Sequence, residues 1–447
     1  MKRQKTIFFV SDQPILKGAN QVQKNILDSL LSEFNVILFM DSLLFRHYDK
    51  QLFVEKSNFI NSQNLKIIYY QSIFDRVFYS FSGLFSFFPS FKRLNGKSDF
   101  ISPNSIYGFI GVTKGGFLSL IRFYMKWSTS FFSMVRHRKY KPDLILGFEV
   151  GGTVSAEWYA RLFHLPLVTK YMGTILYPYI KNRKSHLLPQ YTRAMKAHSD
   201  LVLMLNDGTK GDKVLRSFGI NESKIRFSID GVDKEKLKKS KISRIELSNL
   251  IGFNLNKEDI ILLNISNHNS TWKRIDRCIH ALNDLKKNKI TAKLILTGKG
   301  KNTEHLIKLT NHLGLGNSVY FLDRMPHAVI LQLLFVSDFL LNTNDVSNLS
   351  HTVLEGLCMG KTIITMDDGS LDGLIKDNYN GVLINPNESS PMIANRIATL
   401  INNSHLYNLI SRNALKSSKE IIPTWDEKNI FELNEIKSLL NISGSNE

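Results

Sequence analysis

Short apolar runs of strand length alternate with helical-period segments along almost the whole chain. Residues 6–10 (TIFFV) predict a buried strand, followed by a loop containing Gly18 and Ala19, a helix over NQVQKNILDSLLSEF, and a second strand at residues 35–39. The pattern resumes at residues 143–147 (DLILG), 167–170, 200–205 (DLVLML) and 224–227, with helices such as residues 151–162 between them. Runs that are apolar throughout, rather than alternating, are the mark of strands covered on both faces, so this is β-α-β grammar and a parallel sheet. Near residues 230–233 (DGVD) the pattern breaks into a charged stretch, KEKLKKSKISR, which reads as an interdomain linker or a first exposed turn. A second alternation then predicts strands at residues 259–265, 292–298, 319–321, 338–341, 361–365 and 381–384. Two doubly wound α/β halves are expected, residues 1–235 and 236–423, with an amphipathic C-terminal helix within residues 424–447 packing back on the first. In open sheets of this kind ligands sit beyond the carboxyl ends of the strands, and two such halves facing each other would make a cleft.

Composition supports this division and adds a partner. A chain of 447 residues exceeds one ordinary core and suits two or three domains. With 43% hydrophobic, 22% charged and 11% aromatic residues it is neither disordered, collagen-like nor coiled-coil. The formal charge of +19 calls for an anionic partner: nucleic acid, a membrane surface or a phosphorylated substrate. Two cysteines, Cys278 and Cys358, in apolar or helical surroundings argue for core packing and a reducing compartment. The apolar stretch after the basic N-terminus is too short for a signal-peptide core. No run approaches the ~20 apolar residues of a membrane span, so neither secretion nor membrane crossing is expected.

Candidate chemistry concentrates in three places. Residues 345–365 (DVSNLSHTVLEGLCMGKTIIT) place a polar loop with Ser347, Asn348, Leu349 and Ser350 before a helix containing Glu355. Backbone N–H groups at such a helix start seat phosphate, and a carboxylate one turn inside suits vicinal hydroxyls such as those of a ribose. The same stretch also reads as an ordinary capped first turn. Residues 264–274 (NISNHNSTWKR) follow a strand and bring Lys273 and Arg274 to the opening of the next helix, where the helix dipole disfavours cations and a bound diphosphate would favour them. Residues 296–300 (LTGKG) end a strand with Gly298 and Gly300, short of a full dinucleotide-binding glycine pattern.

Taken together, WKRID (272–276), LILTGKG, SNLSHTVLEGLCMGKTIIT, DDGSLDGLIKDNYNGVLINP (367–386) and the DGVD turn resemble the C-terminal half of glycosyltransferase family 4, the retaining GT-B enzymes that use nucleotide-sugar donors. The first half resembles the family more loosely, through the Gly18 loop, KPDLILGFEVGG (141–152) and SDLVLMLNDGT (199–209). The resemblance implies a GT-B fold of two Rossmann-like domains, the first for the acceptor and the second for the donor. It implies that Lys273 binds the donor diphosphate and Glu355 the ribose, and that the loop at Asn348, Leu349 and Ser350 offers backbone amides to sugar and phosphate. Gly18, Asn267, His268, Arg274, Gly298 and Ser347 complete the implied donor set, and neither a metal nor another cofactor is expected. The chain departs from the family in three places. Ser347 stands where the first Glu of the E-x7-E signature is usual, with Asp345 the nearest carboxylate; Asn267 or His268 replaces an Arg; and Tyr171 to Thr174 replace a first-domain His.

The positive charge is uneven. Residues 76–141 hold eleven Lys/Arg against the single acid Asp99, +10 of the total +19, together with twelve of the 29 phenylalanines and Trp127. Residues 117–139 draw as a helix with Phe117, Leu120, Ile121, Tyr124 and Phe131 on an apolar side and Arg122, Lys126 and Arg136 elsewhere, as in an interfacial segment. The other reading makes these phenylalanines core and the cations a solvated face. With no nucleic-acid-binding signature present, the expected partners are a nucleotide-sugar donor, probed first as a UDP-sugar, a lipid-linked or polysaccharide acceptor, and an anionic membrane surface met through residues 76–141. The expected role is a retaining hexosyltransferase of cell-envelope polysaccharide synthesis (O-antigen, capsule or exopolysaccharide), cytoplasmic and peripheral at the inner face of the membrane. The alternative is a non-catalytic GT-B homologue acting as a membrane-docked assembly partner.

Overall fold

The computed structural model describes residues 3–11, 21–41, 63–70, 117–386 and 390–441. The Gly18 loop and residues 76–116 of the basic aromatic window lie outside the described residues. The chain divides into two units, the first comprising Met1–Leu205, Lys210–Ser228 and Asn429–Glu447, the second Asn206–Thr209 and Ile229–Lys428.

Among its described residues the first unit has seven parallel strands: β1 (Thr6–Ser11), β2 (Asn35–Asp41), β3 (Leu65–Tyr70), β4 (Leu144–Phe148), β5 (Leu167–Tyr171), β6 (Leu201–Leu205) and β7 (Ile225–Ser228), in the order β3-β2-β1-β4-β5-β6-β7. The period of two is visible in how β1 is shared between cores. Ile7 and Phe9 enter one hydrophobic cluster and Phe8 and Val10 another, so both faces of the strand are dry. The helix Glu149–Phe163 lies so close to β1 that a Cβ on Gly152 would stand 2.1 Å from the Val10 carbonyl oxygen, which is why glycine occupies that position. β3, which the apolar pattern did not mark, is an edge strand among the described strands. Its Lys66 and Tyr69 are exposed while Ile68 and Tyr70 are buried, and that mixed pattern is what an edge allows.

The basic helix, Phe117–Arg136, buries a different face from the one drawn on the sequence. Trp127, Ser130 and Met134 turn inward, with Trp127 Nε1–H donating to the Val150 carbonyl at 3.2 Å. Tyr124, placed on the apolar side in the sequence reading, is exposed. Lys126, read as a surface cation, is buried and paired with Asp41 at 3.0 Å. The expectation fails here because apolar residues occur around most of the helix, and an acid at the end of β2, far away in sequence, selects the face.

The C-terminal helix Trp425–Leu439 contributes Leu433 and Ile436 to the core that holds Ile7, Phe9 and Leu146. It is also tied to the sheet by ions: Lys170, at the end of β5, pairs with Glu432 with both side chains buried, Arg226 meets Glu435 at 2.7 Å, and Lys437 meets Glu33 at 2.6 Å.

The second unit has six parallel strands, β8 (Ile260–Ile265), β9 (Ala292–Thr297), β10 (Val319–Leu322), β11 (Phe339–Asn342), β12 (Thr362–Met366) and β13 (Val382–Ile384), in the order β10-β9-β8-β11-β12-β13. β11 repeats the division seen in β1, with Phe339 and Leu341 in one core and Leu340 in the other. The stretch expected to be a linker or exposed turn is instead helical. Asp233 caps Lys234–Lys239 by accepting from the Lys236 N–H at 3.0 Å, and Ser243 with Glu246 forms a capping box that opens Arg244–Ile251. Local caps overrode the charge run. In both sheets the strand order reverses beside the first strand, at β1/β4 and at β8/β11, and such a reversal opens a crevice at the carboxyl ends.

Removing one partner of a buried ion pair strands the other charge, at a cost of about 3–5 kcal/mol. Lys170→Met or Glu432→Leu alone should therefore lower the denaturation midpoint sharply, and the double variant should recover most of the loss. Single variants as stable as the parent protein would show that the pair does not anchor the helix.

Candidate functional site

At the β8/β11 reversal two loops meet, residues 266–274 and residues 343–350. They are stitched together by backbone and side-chain bonds. The Asp345 N–H donates to the Trp272 carbonyl at 2.8 Å, the Thr343 hydroxyl to the Arg274 carbonyl at 3.0 Å, and Arg277 to the Thr343 carbonyl at 3.0 Å. Below them Asn264, at the end of β8, donates its side-chain amide to the Leu341 carbonyl at 2.8 Å. Each loop holds one non-glycine residue in the left-handed region, Arg274 with φ 45° and Ser347 with φ 56°. Strain of this kind persists only where surrounding contacts over-determine the backbone.

The two cations of the first loop have different fates. Arg274 is committed: its guanidinium reaches both Asp276 oxygens at 2.9–3.2 Å and Asp345 at 3.4 Å, and this pairing raises its pKa. Asp345, the nearest carboxylate to the signature position, also binds Arg277 at 2.9 Å. Arg274, expected to bind the donor, is paired with acids here, and its charge holds the two loops together. Lys273, in the 3-10 turn Thr271–Lys273, is half-buried with its ammonium 4.2 Å from the centre of the Trp272 ring. Among the described residues no carboxylate pairs with it, and burial alone pushes its pKa down. An uncompensated, partly desolvated ammonium is the kind of group an anionic ligand stabilises.

His268, expected in the donor set, lies inside the protein. It is fully buried, one ring nitrogen bonds the Thr303 hydroxyl at 2.9 Å, and desolvation pushes its pKa down. Its other ring nitrogen has no partner among the described residues. Asn267 is exposed and bonds locally to the Asn269 N–H. At Gly298, with φ 109°, a Cβ would lie 2.1 Å from the Ser266 carbonyl oxygen, so the packing of the two loops itself requires glycine. A cavity of about 320 Å3 opens between residues 268–280 and residues 302–309, lined by His268, Ser270, Thr271, Arg274, Asp276 and Asn302 among others, but not by Lys273 or Glu355.

In the second loop, Ser347 donates its hydroxyl to the Asp207 carbonyl at 2.7 Å. Asn348 is fully buried and its N–H is already given to the Ser370 hydroxyl at 2.8 Å, so that amide is not free for a ligand. The Leu349 and Ser350 N–H groups carry no partner among the described residues. Leu349 packs its side chain in the core, and Ser350 caps the helix His351–Cys358 by accepting from the Val353 N–H at 3.4 Å. The amide seat expected over Asn348, Leu349 and Ser350 therefore narrows to the last two residues. Asn344 and Asn348 each keep a buried amide oxygen without a partner among the described residues. Such orphan acceptors suit hydroxyl donors.

Glu355 sits on the buried side of the helix His351–Cys358, and its Oε1 lies 2.7 Å from His327 Nε2. Sequence reasoning missed His327. The only available signal was Pro326 before a helix start that follows a strand. The bond to Glu355 raises the His327 pKa, with Lys236 lowering and Asp233 raising it as weaker neighbours. Among the described residues no group of three His, Cys, Asp or Glu is placed to hold a metal ion. Gly18 lies outside the described residues.

Residues 250–417 match the family described as Glycosyl transferases group 1. An uncharacterised glycosyltransferase of Methanocaldococcus jannaschii is 31% identical over 151 residues, which span 33% of this chain and 38% of the relative. Among solved structures, the Anabaena protein HepE in complex with UDP superposes with a TM-score of 0.66 at 18% identity, covering 97% of this chain and 100% of that one. WaaG, a glycosyltransferase involved in lipopolysaccharide biosynthesis, superposes with a TM-score of 0.59 at 15% identity over 98% of this chain and 100% of its own. These likenesses and the two parallel-sheet units establish the GT-B fold.

A histidine whose folded pKa is raised stabilises the protein fully below its unfolded value of about 6.5, and that contribution is lost as pH rises through the folded value. The His327 imidazole should titrate by NMR above 6.5, and Glu355→Gln should bring it down. The thermal stability gap between parent and variant should be widest near pH 6 and close at higher pH. A His327 midpoint unchanged by the variant would remove Glu355 as the cause.

Proposed function

We propose that the chain is a group 1 glycosyltransferase that moves a hexose from a nucleoside-diphosphate sugar to an acceptor hydroxyl, with retention and without a metal. The observation that carries this reading is Lys273, a partly buried ammonium without a carboxylate partner among the described residues, held at the strand-order reversal of the unit whose sequence matches that family. Negative charge grows on the leaving diphosphate as the glycosidic bond breaks, and a fixed ammonium in a low-dielectric site lowers the energy of that state more than of the bound donor. The unpartnered N–H groups of Leu349 and Ser350, before the helix of Glu355, add oriented dipoles, and Glu355 receives the ribose hydroxyls. The leaving diphosphate itself takes the acceptor proton, so no second carboxylate is required. A UDP-sugar is the proposed donor, supported by the complexes of HepE with UDP and with UDP-glucose.

The proposed acceptor is a lipid-linked intermediate of envelope polysaccharide synthesis, met at the inner face of the cytoplasmic membrane. Support comes from the described part of the basic window. Phe132 is 66% exposed one turn before Arg136, and Arg138, Lys139 and Lys141 are exposed just beyond. Aromatic and cationic groups at one helix end suit anionic headgroups, each cation near the surface contributing about 1 kcal/mol. No helix among the described residues is long and apolar enough to cross a membrane. A non-catalytic, membrane-docked partner is the second reading, favoured by Ser347 being tied to a backbone carbonyl where a carboxylate is usual in the family.

A thermal-shift screen of UDP-, GDP- and ADP-sugars should single out a UDP-sugar, since a bound donor stabilises the folded state by mass action. Lys273→Ala should abolish that shift and cut turnover a hundredfold or more. Full activity in that variant would sink the assignment, and absence of nucleotide release with any donor would leave the non-catalytic reading. Vesicles containing anionic lipid should float the protein at low salt and release it at high salt, whereas protein left at the bottom of the gradient at low salt would rule out docking.

A further inference from the structure

Glu355 is 6% exposed, and a carboxylate that far out of water is costly unless it is paired. Its Oε1 is held by His327 Nε2 at 2.7 Å, and its Oε2 has no partner among the described residues. The two side chains come from different helices, His327–Val336 and His351–Cys358, so the bond crosses between elements and is not a local helix pair. The His327 side chain remains 57% exposed while the Glu355 side chain is 8% exposed, which places the imidazole on the solvent side of the carboxylate. A carboxylate fixed through one oxygen presents the lone pairs of the other in a set direction. A ligand hydroxyl arriving there meets an acceptor that is already charged and oriented, without the entropy cost of ordering it.

We infer that His327 is the positioning residue that makes this site selective for ribose: by holding Glu355 through Oε1 it turns Oε2 to accept the donor nucleotide's 2′-hydroxyl. This rests on the nucleotide-sugar reading of the same site. Its consequence is discrimination between a ribonucleotide and its 2′-deoxy counterpart, a property that Lys273 cannot supply because the diphosphate is common to both. Hydrogen bonds to a charged acceptor are the strong ones, so the discrimination should amount to about ten- to a hundredfold in affinity.

Calorimetric titration of the full chain with UDP and with 2′-deoxy-UDP tests it. The parent protein should bind UDP at least tenfold more tightly. His327→Ala should weaken UDP to the level of 2′-deoxy-UDP while leaving the latter unchanged, and His327→Gln, whose amide can donate to the same oxygen, should restore most of the ratio. Lys273→Ala should weaken both ligands equally and keep the ratio. If His327→Ala fails to fold, His327→Phe preserves ring volume without the donor and carries the same expectation. A parent protein that binds neither nucleotide overturns the donor reading and this inference with it. Equal binding of both by the parent, or an unchanged ratio in the folded alanine or phenylalanine variant, overturns the role of His327 and leaves the donor reading standing.

Discussion

The pairing of Arg274 with Asp276 and Asp345 sets what the second sheet can do at its strand-order reversal. Two neighbouring cations at a helix start repel each other and oppose the helix dipole. One of them is neutralised by acids from its own helix and from the loop after β11, and that neutralisation also clamps the two loops. With the clamp in place the backbone of residues 271–274 is fixed, and Lys273 is left on its short turn with an aromatic ring beneath it and, among the described residues, no acid paired with it. The asymmetry between adjacent residues, one paired with two acids and one with no carboxylate partner among the described residues, is the basis of the electrostatics of the site.

Most of the fold was legible because strands of a parallel sheet are buried on both faces and so appear as unbroken apolar runs; the pattern marked twelve of the thirteen described strands. The exception, β3, is half-exposed as an edge strand and loses that signature. The charged run after Asp233 misled for the opposite reason, since composition there is linker-like while two caps impose helices. The buried face of Phe117–Arg136 was hidden because nothing near Lys126 in sequence announces Asp41.

The site divides along the same line. Lys273 and Glu355 could be marked from residue type and spacing, since their placement is a matter of a strand end and a helix turn. The fates of Arg274, His268 and Asn348 could not be read, because Asp345, Thr303 and Ser370, which occupy them, arrive from other strand ends. His327 belongs with these: twenty-eight residues separate it from Glu355, and only the packing of two helices joins them.

The C-terminal helix bears on how the chain is made as well as on how it stands. The last described strand of the first sheet is β7, yet Leu433, Ile436 and the counter-ion of Lys170 lie beyond the whole of the second unit, Glu432 standing 262 positions after Lys170. Until that segment is made, Lys170 lacks its counter-ion and the apolar face that Leu433 and Ile436 cover stays open to water. The second unit closes around contacts that lie within residues 206–209 and 229–428. Sequence separation of this size slows folding and prolongs exposure of the uncovered face. The domain that is translated first is therefore the one that is finished last.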